Sequence, residues 1–340
     1  MRLSLRYDMR APSIGAPVAE LYKAAIDQCD WADKLGFETV FLAEHHGAED
    51  GYCASPLIQG SAIAARTERM NIHFSALVAV LHNPLRLAED LATLDIISSG
   101  RIEMTMGIGY RDSEYEMFEI PRARRVKILE ETIGILEKAW TGEPFEYRGK
   151  TVRVRPTPVR SPRPPIYIGG SAEASARRAA KLGDNYMPAG DKDGLYAIYN
   201  EERRKLGLPI PPRPPNPGPL FLFVTDDPDR DWPILAPHLL YTTNSNAQWA
   251  KERGVGTTTY PFVETLEELK EQKHFVVVTP GQCVDLCVER GIDSELMFQP
   301  LMGGLPPEHG WRSLELFASE VLPKLEELGY RSAAQRVESA

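Results

Sequence analysis

Short apolar runs recur along the whole chain, each followed by a stretch whose large apolar residues repeat at helical spacing, and this alternation constrains the fold more than any other feature. Candidate strands fall at 3–7, 39–43, 71–80, 102–106, 165–168, 185–187, 220–225 and 295–299. Strand followed by helix, repeated in this way, gives a parallel sheet wrapped by helices. Eight such units closing on themselves predict an α/β fold of the (β/α)8 TIM-barrel type.

The intervening helices carry their own punctuation. Asn83 suits an N-cap, Pro84 the first helical position, and Gly100 stands just past the end. Leu87, Leu91 and Leu94 would line the buried face of that helix. Leu129, Ile133, Leu136 and Trp140 would do so in the next, and Leu314, Phe317, Val321 and Leu325 in the last. Two proline-rich stretches, "RPTPVRSPRPP" and "LPIPPRPPNPGP", can be neither helix nor central strand and read as surface connectors within the barrel. The segment 226–280 is too long for one connection, so inserted helices are expected there before the eighth unit. The reading is a single barrel domain over 1–340.

A chain of 340 residues that is 43% hydrophobic can bury a large core. Its formal charge of −9, with acids and bases interspersed, argues against nucleic acid or an anionic membrane as partner and favours a small molecule. No apolar run is long enough to span a bilayer, and the first residues lack the apolar core of a signal peptide, so a cytoplasmic location is expected. Cys29, Cys53, Cys283 and Cys287 form no CxxC pair and read as packed thiols.

In a barrel of this kind the reactive groups gather at the carboxyl ends of the strands. "FLAEHHG", residues 41–47, then gains a meaning: the second strand ends in Glu44, His45 and His46 on that rim. Successive strand residues point to opposite sides, so one imidazole is expected to face the cavity, His45 by preference, while the other packs or pairs nearby. A histidine there is either a general acid/base or a satisfied structural residue. Metal catalysis is disfavoured, because hydrolase barrels want an HxH with both rings on one side and "LSLRYDM" of the first strand holds no histidine.

"PPIYIGGSAEASARRAAKLGD" has the shape of a phosphate site: a strand, Gly169 and Gly170 allowing close backbone approach, Ser171 at the N-cap, then a helix whose free amides point outward. An ordinary βα turn uses the same residues. "GIGYRD", 107–112, lacks a third glycine and is no dinucleotide fingerprint; its glycines would clear space for a flat ring.

Taken together, "VFLAEHHG", "LHNPLRLAEDLATLDIISSGRIEMTMGIGYRDSEYEMF", "PPIYIGGSAEASARRAAKLGD" and "GGLPPEHGWRSLELFASEVLP" resemble the bacterial luciferase-like flavin-dependent monooxygenases over nearly the whole chain. The resemblance implies reduced FMN supplied by a separate flavin reductase, reaction with O2, and oxygenation of a second, small organic substrate by a homodimer. It also implies roles by position. His45 matches the acid/base beside the flavin, with His46 next to it. Ser75 and Ala76 fall where relatives place a cis peptide under the ring, Gly109 and Tyr110 flank it, and Ser171 and Arg125 (or its neighbour Arg124) meet the phosphate. The chain departs from luciferase itself at Gly107 and Ile108, where that enzyme has a cysteine and an arginine. Two other readings stay open: a deazaflavin-dependent hydride-transfer oxidoreductase of the same superfamily, and a non-catalytic flavin-binding protein.

Overall fold

Strands buried on both faces need cover on both sides, and the chain supplies it by alternating them with amphipathic helices. A computed structural model of the chain describes residues 1–189, 192–215, 217–252 and 260–331. The first half runs β1 (Arg2–Tyr7), α1 (Val18–Lys34), β2 (Thr39–Leu42), α2 (Pro56–Ala64), β3 (Asn71–Leu77), α3 (Pro84–Ile97), β4 (Ile102–Met106), α4 (Asp112–Met117) and α5 (Arg125–Trp140). A short antiparallel hairpin follows, β5 (Phe145–Tyr147) with β6 (Lys150–Val152), ahead of β7 (Ile166–Gly170), α6 (Glu173–Leu182), β8 (Asn185–Pro188) and α7 (Lys192–Lys205). The rest comprises β9 (Pro217–Gly218), β10 (Phe221–Val224), α8 (Pro228–Glu252), α9 (Leu266–Glu271), β11 (Phe275–Val278), α10 (Pro280–Arg290), β12 (Glu295–Phe298), α11 (Pro307–Leu316) and α12 (Leu322–Glu327).

Eight strands form one curled parallel sheet in the order β8-β7-β4-β3-β2-β1-β12-β9, giving a TIM-barrel-like α/β fold with helices outside. Among the described residues its ladder does not close between β8 and β9. The expected seventh strand is the reason. β10 lies where the sequence placed a strand at 220–225, but it pairs in parallel with β11, not with the main sheet. Its place beside β12 is taken by Pro217 and Gly218, the end of the second proline-rich stretch, and proline suits such an edge because it has no amide to give. β10 is apolar on both faces because it divides two cores. Leu222 and Val224 belong to the main cluster, while Phe221 and Phe223 pack with Trp232, Leu235 and Leu239 of α8.

The expected helices in 226–280 appear as α8 and α9, but the segment also holds β11, whose "FVVV" the sequence reading passed over. Two boundaries differ in ways that matter for the mouth. The third strand stops at Leu77, not at residue 80, and a 3-10 turn occupies Ala79–Leu81. The fifth barrel strand runs on through Gly170, so both glycines stand in the strand.

The expected cap of α3 is present, with the Asn83 side chain accepting from the amides of Leu85 and Arg86 at 3.0 and 3.2 Å. Each of the core positions named for α3, α5 and the last helix is buried. "SSGR" has a purpose at the opposite end of the barrel from the mouth. The Arg101 guanidinium donates to the carbonyls of Ala64, Thr67, Met70 and Ser98, at 2.6–3.0 Å, and so ties β3 and β4 to α2. The four cysteines are buried free thiols.

Candidate active site

β2 ends at Leu42 in register with Phe74 of β3 and Tyr7 of β1, which puts residues 43–47 at the carboxyl rim of the sheet. There the chain separates its two histidines. His46 turns back: its Nε2 lies 3.0 Å from Glu44 Oε1 and its ring packs edge-on against Phe118. His45 turns to the mouth, among the rings of Tyr52, Tyr110 and Trp249 at 4.8–5.1 Å between centroids.

Each histidine has a buried carboxylate. His45 Nδ1 lies 2.7 Å from Glu114 Oε1, and the same oxygen accepts the His46 amide at 3.0 Å. Burial works against the Glu114 carboxylate, but the His45 hydrogen bond and charge, the His46 amide and Arg111 together hold it below the usual range. Burial depresses His45 more than Glu114 raises it, with Arg111 and Arg10 adding to the depression, so the imidazole is neutral at pH 7. A neutral ring that donates from Nδ1 keeps its lone pair on Nε2. That nitrogen sits 3.2 Å from the Tyr110 hydroxyl.

Glu44 makes the second dyad into a three-way knot. Its Oε1 meets His46 and, at 2.7 Å, His82 Nε2, while Oε2 accepts the Val78 amide. Burial would raise this carboxyl, yet the hydrogen bonds from His46, His82 and Val78 prevail and hold it at about 2. The knot fastens the end of β2 to the loop after β3. Just before that loop the Ser75–Ala76 peptide is cis, the geometry the resemblance implies there. A side chain at Gly107 would bring its Cβ to 3.2 Å from that of Ala76, and at Gly109, where φ is +72°, to 2.8 Å from Val78. These glycines let the β4 loop lie close against the β3 loop.

The turn after β7 differs in detail from expectation. Ser171 is exposed and precedes the N-cap, which is Ala172, because the strand extends through Gly170. Ser175 does the capping: its hydroxyl donates to the Ala172 carbonyl, accepts the Ala172 amide and meets the Tyr186 hydroxyl at 3.0 Å. The amides of Ser175 and Ala176 both turn back to Ala172, and those of Glu173 and Ala174 ahead of them have no intrahelical acceptor. Together with the exposed Ser171 hydroxyl, these amides are donors that could hold an anion.

Arg125 opens α5, where its Nη1 donates to the Arg122 carbonyl at 2.9 Å. An ion pair of Arg178 with Glu130 at 3.3 Å joins α6 to α5. Arg124 ends the exposed 3-10 turn before it.

Sequence reasoning missed Glu114 and Trp249. Trp249 rides on α8 with the Arg10 guanidinium 4.3 Å and the Arg111 guanidinium 4.1 Å from its ring. Arg10 is fully buried and paired with Asp50. Beyond the indole lies a cavity of about 790 Å³ lined by the loops after β1, β2 and β4 and by α8, including Asp50, Arg111, Tyr241 and Trp249. Its size suits a small organic ligand, for which about 300–1,000 Å³ is usual. No sequence motif marks α8, since its contribution depends on where the insertion folds back.

Residues 8–285 match the family model described as luciferase-like monooxygenase. The chain belongs to that family. Among curated luciferase-like relatives, the oxygenase component of the flavin-dependent trigonelline monooxygenase of Acinetobacter baylyi is 28% identical over 54% of this chain and 53% of its own length. An F420-dependent glucose-6-phosphate dehydrogenase of Microbacterium testaceum is 31% identical over 59% and 61%. The chain thus spans only about half to three-fifths of the curated relatives it matches. Among solved structures, the oxygenating constituent of the 3,6-diketocamphane monooxygenase of Pseudomonas putida, in complex with FMN, superposes with a TM-score of 0.73 at 19% identity, covering 95% of this chain and 98% of that one. An F420-dependent secondary alcohol dehydrogenase gives 0.66 at 15% identity, over 94% and 97%. Likeness at that identity speaks for the shared fold.

Proposed function

We propose that this luciferase-like chain is the oxygenase component of a two-component monooxygenase, taking reduced FMN from a separate flavin reductase and using O2 to oxygenate a small organic substrate. The observation that carries the reading is the partly buried, neutral His45, held by Glu114 at the carboxyl rim of the sheet that also carries the Ser75–Ala76 cis peptide. The residues fit the cofactor's parts. Ser171, the open amides of α6 and the Gly169–Gly170 backbone suit a phosphate, with Arg125 at the start of α5, the helix that Arg178 ties to α6. Ser75, Ala76, Gly109 and Tyr110 form a close-packed floor and wall for a flat ring. When bound, the reduced flavin supplies the activation of O2.

The protein's own share is orientation, exclusion of water and proton handling. His45 is the acid/base. His46, named with it in the sequence reading, supports the mouth through Glu44. The cavity beyond Trp249 takes the second substrate. In this reading the enzyme is a cytoplasmic homodimer.

A second reading has its own support, since an F420-dependent relative is as similar in sequence as the oxygenase component: hydride transfer with a deazaflavin. Fluorescence titration separates the two. FMN fluorescence should be quenched on binding and deazaflavin should not compete; the opposite ranking would transfer the chain to the F420 group. Combined Ser171→Ala and Arg125→Ala changes should weaken FMN far more than riboflavin, which lacks the phosphate. His45→Asn should abolish turnover with flavin affinity nearly intact.

A further inference from the structure

An imidazole can pass a proton only through its two nitrogens, and in this structure both of His45's are engaged. Nδ1 faces Glu114 at 2.7 Å and Nε2 faces the Tyr110 hydroxyl at 3.2 Å. The rings of Tyr52 and Trp249 pack edge-on around the rest of the imidazole, whose side chain is only 12% exposed. The tyrosine belongs to the loop after β4 and the histidine to the loop after β2, both at the carboxyl ends of their strands.

We infer that Tyr110 is the group that exchanges protons with the bound ligand, as the outer member of a Glu114–His45–Tyr110 relay, and that His45 acts through it. This rests on the mouth being the reaction site. The step is a double proton transfer with no change of oxidation state. A ligand O–H or N–H proton goes to Tyr110 Oη while the tyrosine's own proton goes to His45 Nε2. The resulting imidazolium stays bonded through Nδ1–H to the ionised Glu114. The reverse sequence returns the proton and restores the neutral ring. Glu114 is a positioning residue: it fixes the tautomer that leaves Nε2 open as acceptor and stabilises the cation that forms.

The charged and titratable groups around His45 are Glu114 and Arg111 from α4 and its approach, Arg10 after β1, and Tyr52 and Tyr110. Among the contributions to its protonation only Glu114 favours the cation, while burial and both arginines oppose it. Replacing Glu114 with glutamine keeps an acceptor at Nδ1 but removes the charge, so the acid limb of the rate should move to lower pH.

The test needs two readouts. In flavin-free protein with ¹⁵N-labelled histidine, His45 should show a protonated Nδ1 and a hydrogen-bonded, unprotonated Nε2. Tyr110→Phe should shift the Nε2 resonance toward its unbonded value and leave Nδ1 unchanged. In turnover, Tyr110→Phe should lose about 10²–10⁴-fold, the span for one acid/base group. His45→Asn combined with it should cost little more than the larger single loss, as for members of one series. An Nε2 resonance indifferent to Tyr110→Phe, or a Tyr110→Phe enzyme at full rate while His45→Asn is dead, overturns the relay. Should the chain bind no flavin, the functional reading fails, and the resonances still decide the relay.

Discussion

Glu44→Gln removes one charge from the knot that joins β2 to the β3 loop. The carboxylate is fully buried, with His46 at 3.0 Å, His82 at 2.7 Å and the Val78 amide as its donors. Lowering its pKa from the ordinary 4.5 to about 2 corresponds to about 3 kcal/mol in favour of the folded state at neutral pH. Because the folded value lies below the unfolded one, that stabilisation is fully present above pH 4.5 and is lost as pH falls toward 2. His82 is raised by the same contact, burial notwithstanding, so its share is present below the usual histidine range and fades as pH rises through its folded value. The two shifts describe one interaction and are not summed.

Glutamine keeps an oxygen for one or two donors but turns an NH2 toward a third. Denaturant unfolding measured from pH 3 to 8 should therefore show the variant about 3 kcal/mol less stable at pH 7, with the gap narrowing steadily below pH 4.5. A variant whose stability runs parallel to wild type across the acid range would refute the assignment of an ionised Glu44 to this knot.

Other consequences follow from the same geometry. Arg101→Ala should lower stability by about 3 kcal/mol or more, since it strands four carbonyls, and Arg101→Lys should recover only part because an ammonium cannot span them; equal stability of all three forms by denaturant melts would contradict the account. Gly170→Ala would place a Cβ 2.5 Å from that of Ser175 at φ +144° and displace the capping hydroxyl. It should weaken FMN several-fold more than riboflavin by fluorescence titration, and equal weakening would detach this turn from the phosphate. Trp249→Ala removes two guanidinium contacts and should cost about 2 kcal/mol. It should also speed modification of His45 by diethyl pyrocarbonate, whereas an unchanged modification rate would mean that the indole does not cover the ring.

How much of this was legible in the residues depends on how local the cause is. Asn83-Pro84 and the buried spacing of Leu129, Ile133 and Leu136 are local signals, and the structure follows them. The fate of 220–225 is not local: "FLFV" reads as any buried strand, and only the presence of a second core under α8 diverts it to β11. At the mouth, "EHH" announced ionisable groups at a strand end, and alternation separated the two rings. Nothing in it named their partners, because Glu114 lies 69 residues from His45 and Trp249 arrives on an inserted helix. The serine that caps α6 was misplaced for a simpler reason. Two glycines read as a turn, while the sheet paired both as strand and moved the helix start onward.

The most direct measurement of the central claim is a crystal structure of the protein grown anaerobically with reduced FMN. The isoalloxazine should lie over Ser75–Ala76 within hydrogen-bonding reach of the Tyr110 hydroxyl, with the phosphate at Ser171 and the first amides of α6. A flavin bound at the opposite end of the sheet, or a mouth that stays closed to it at saturating concentration, would contradict that claim.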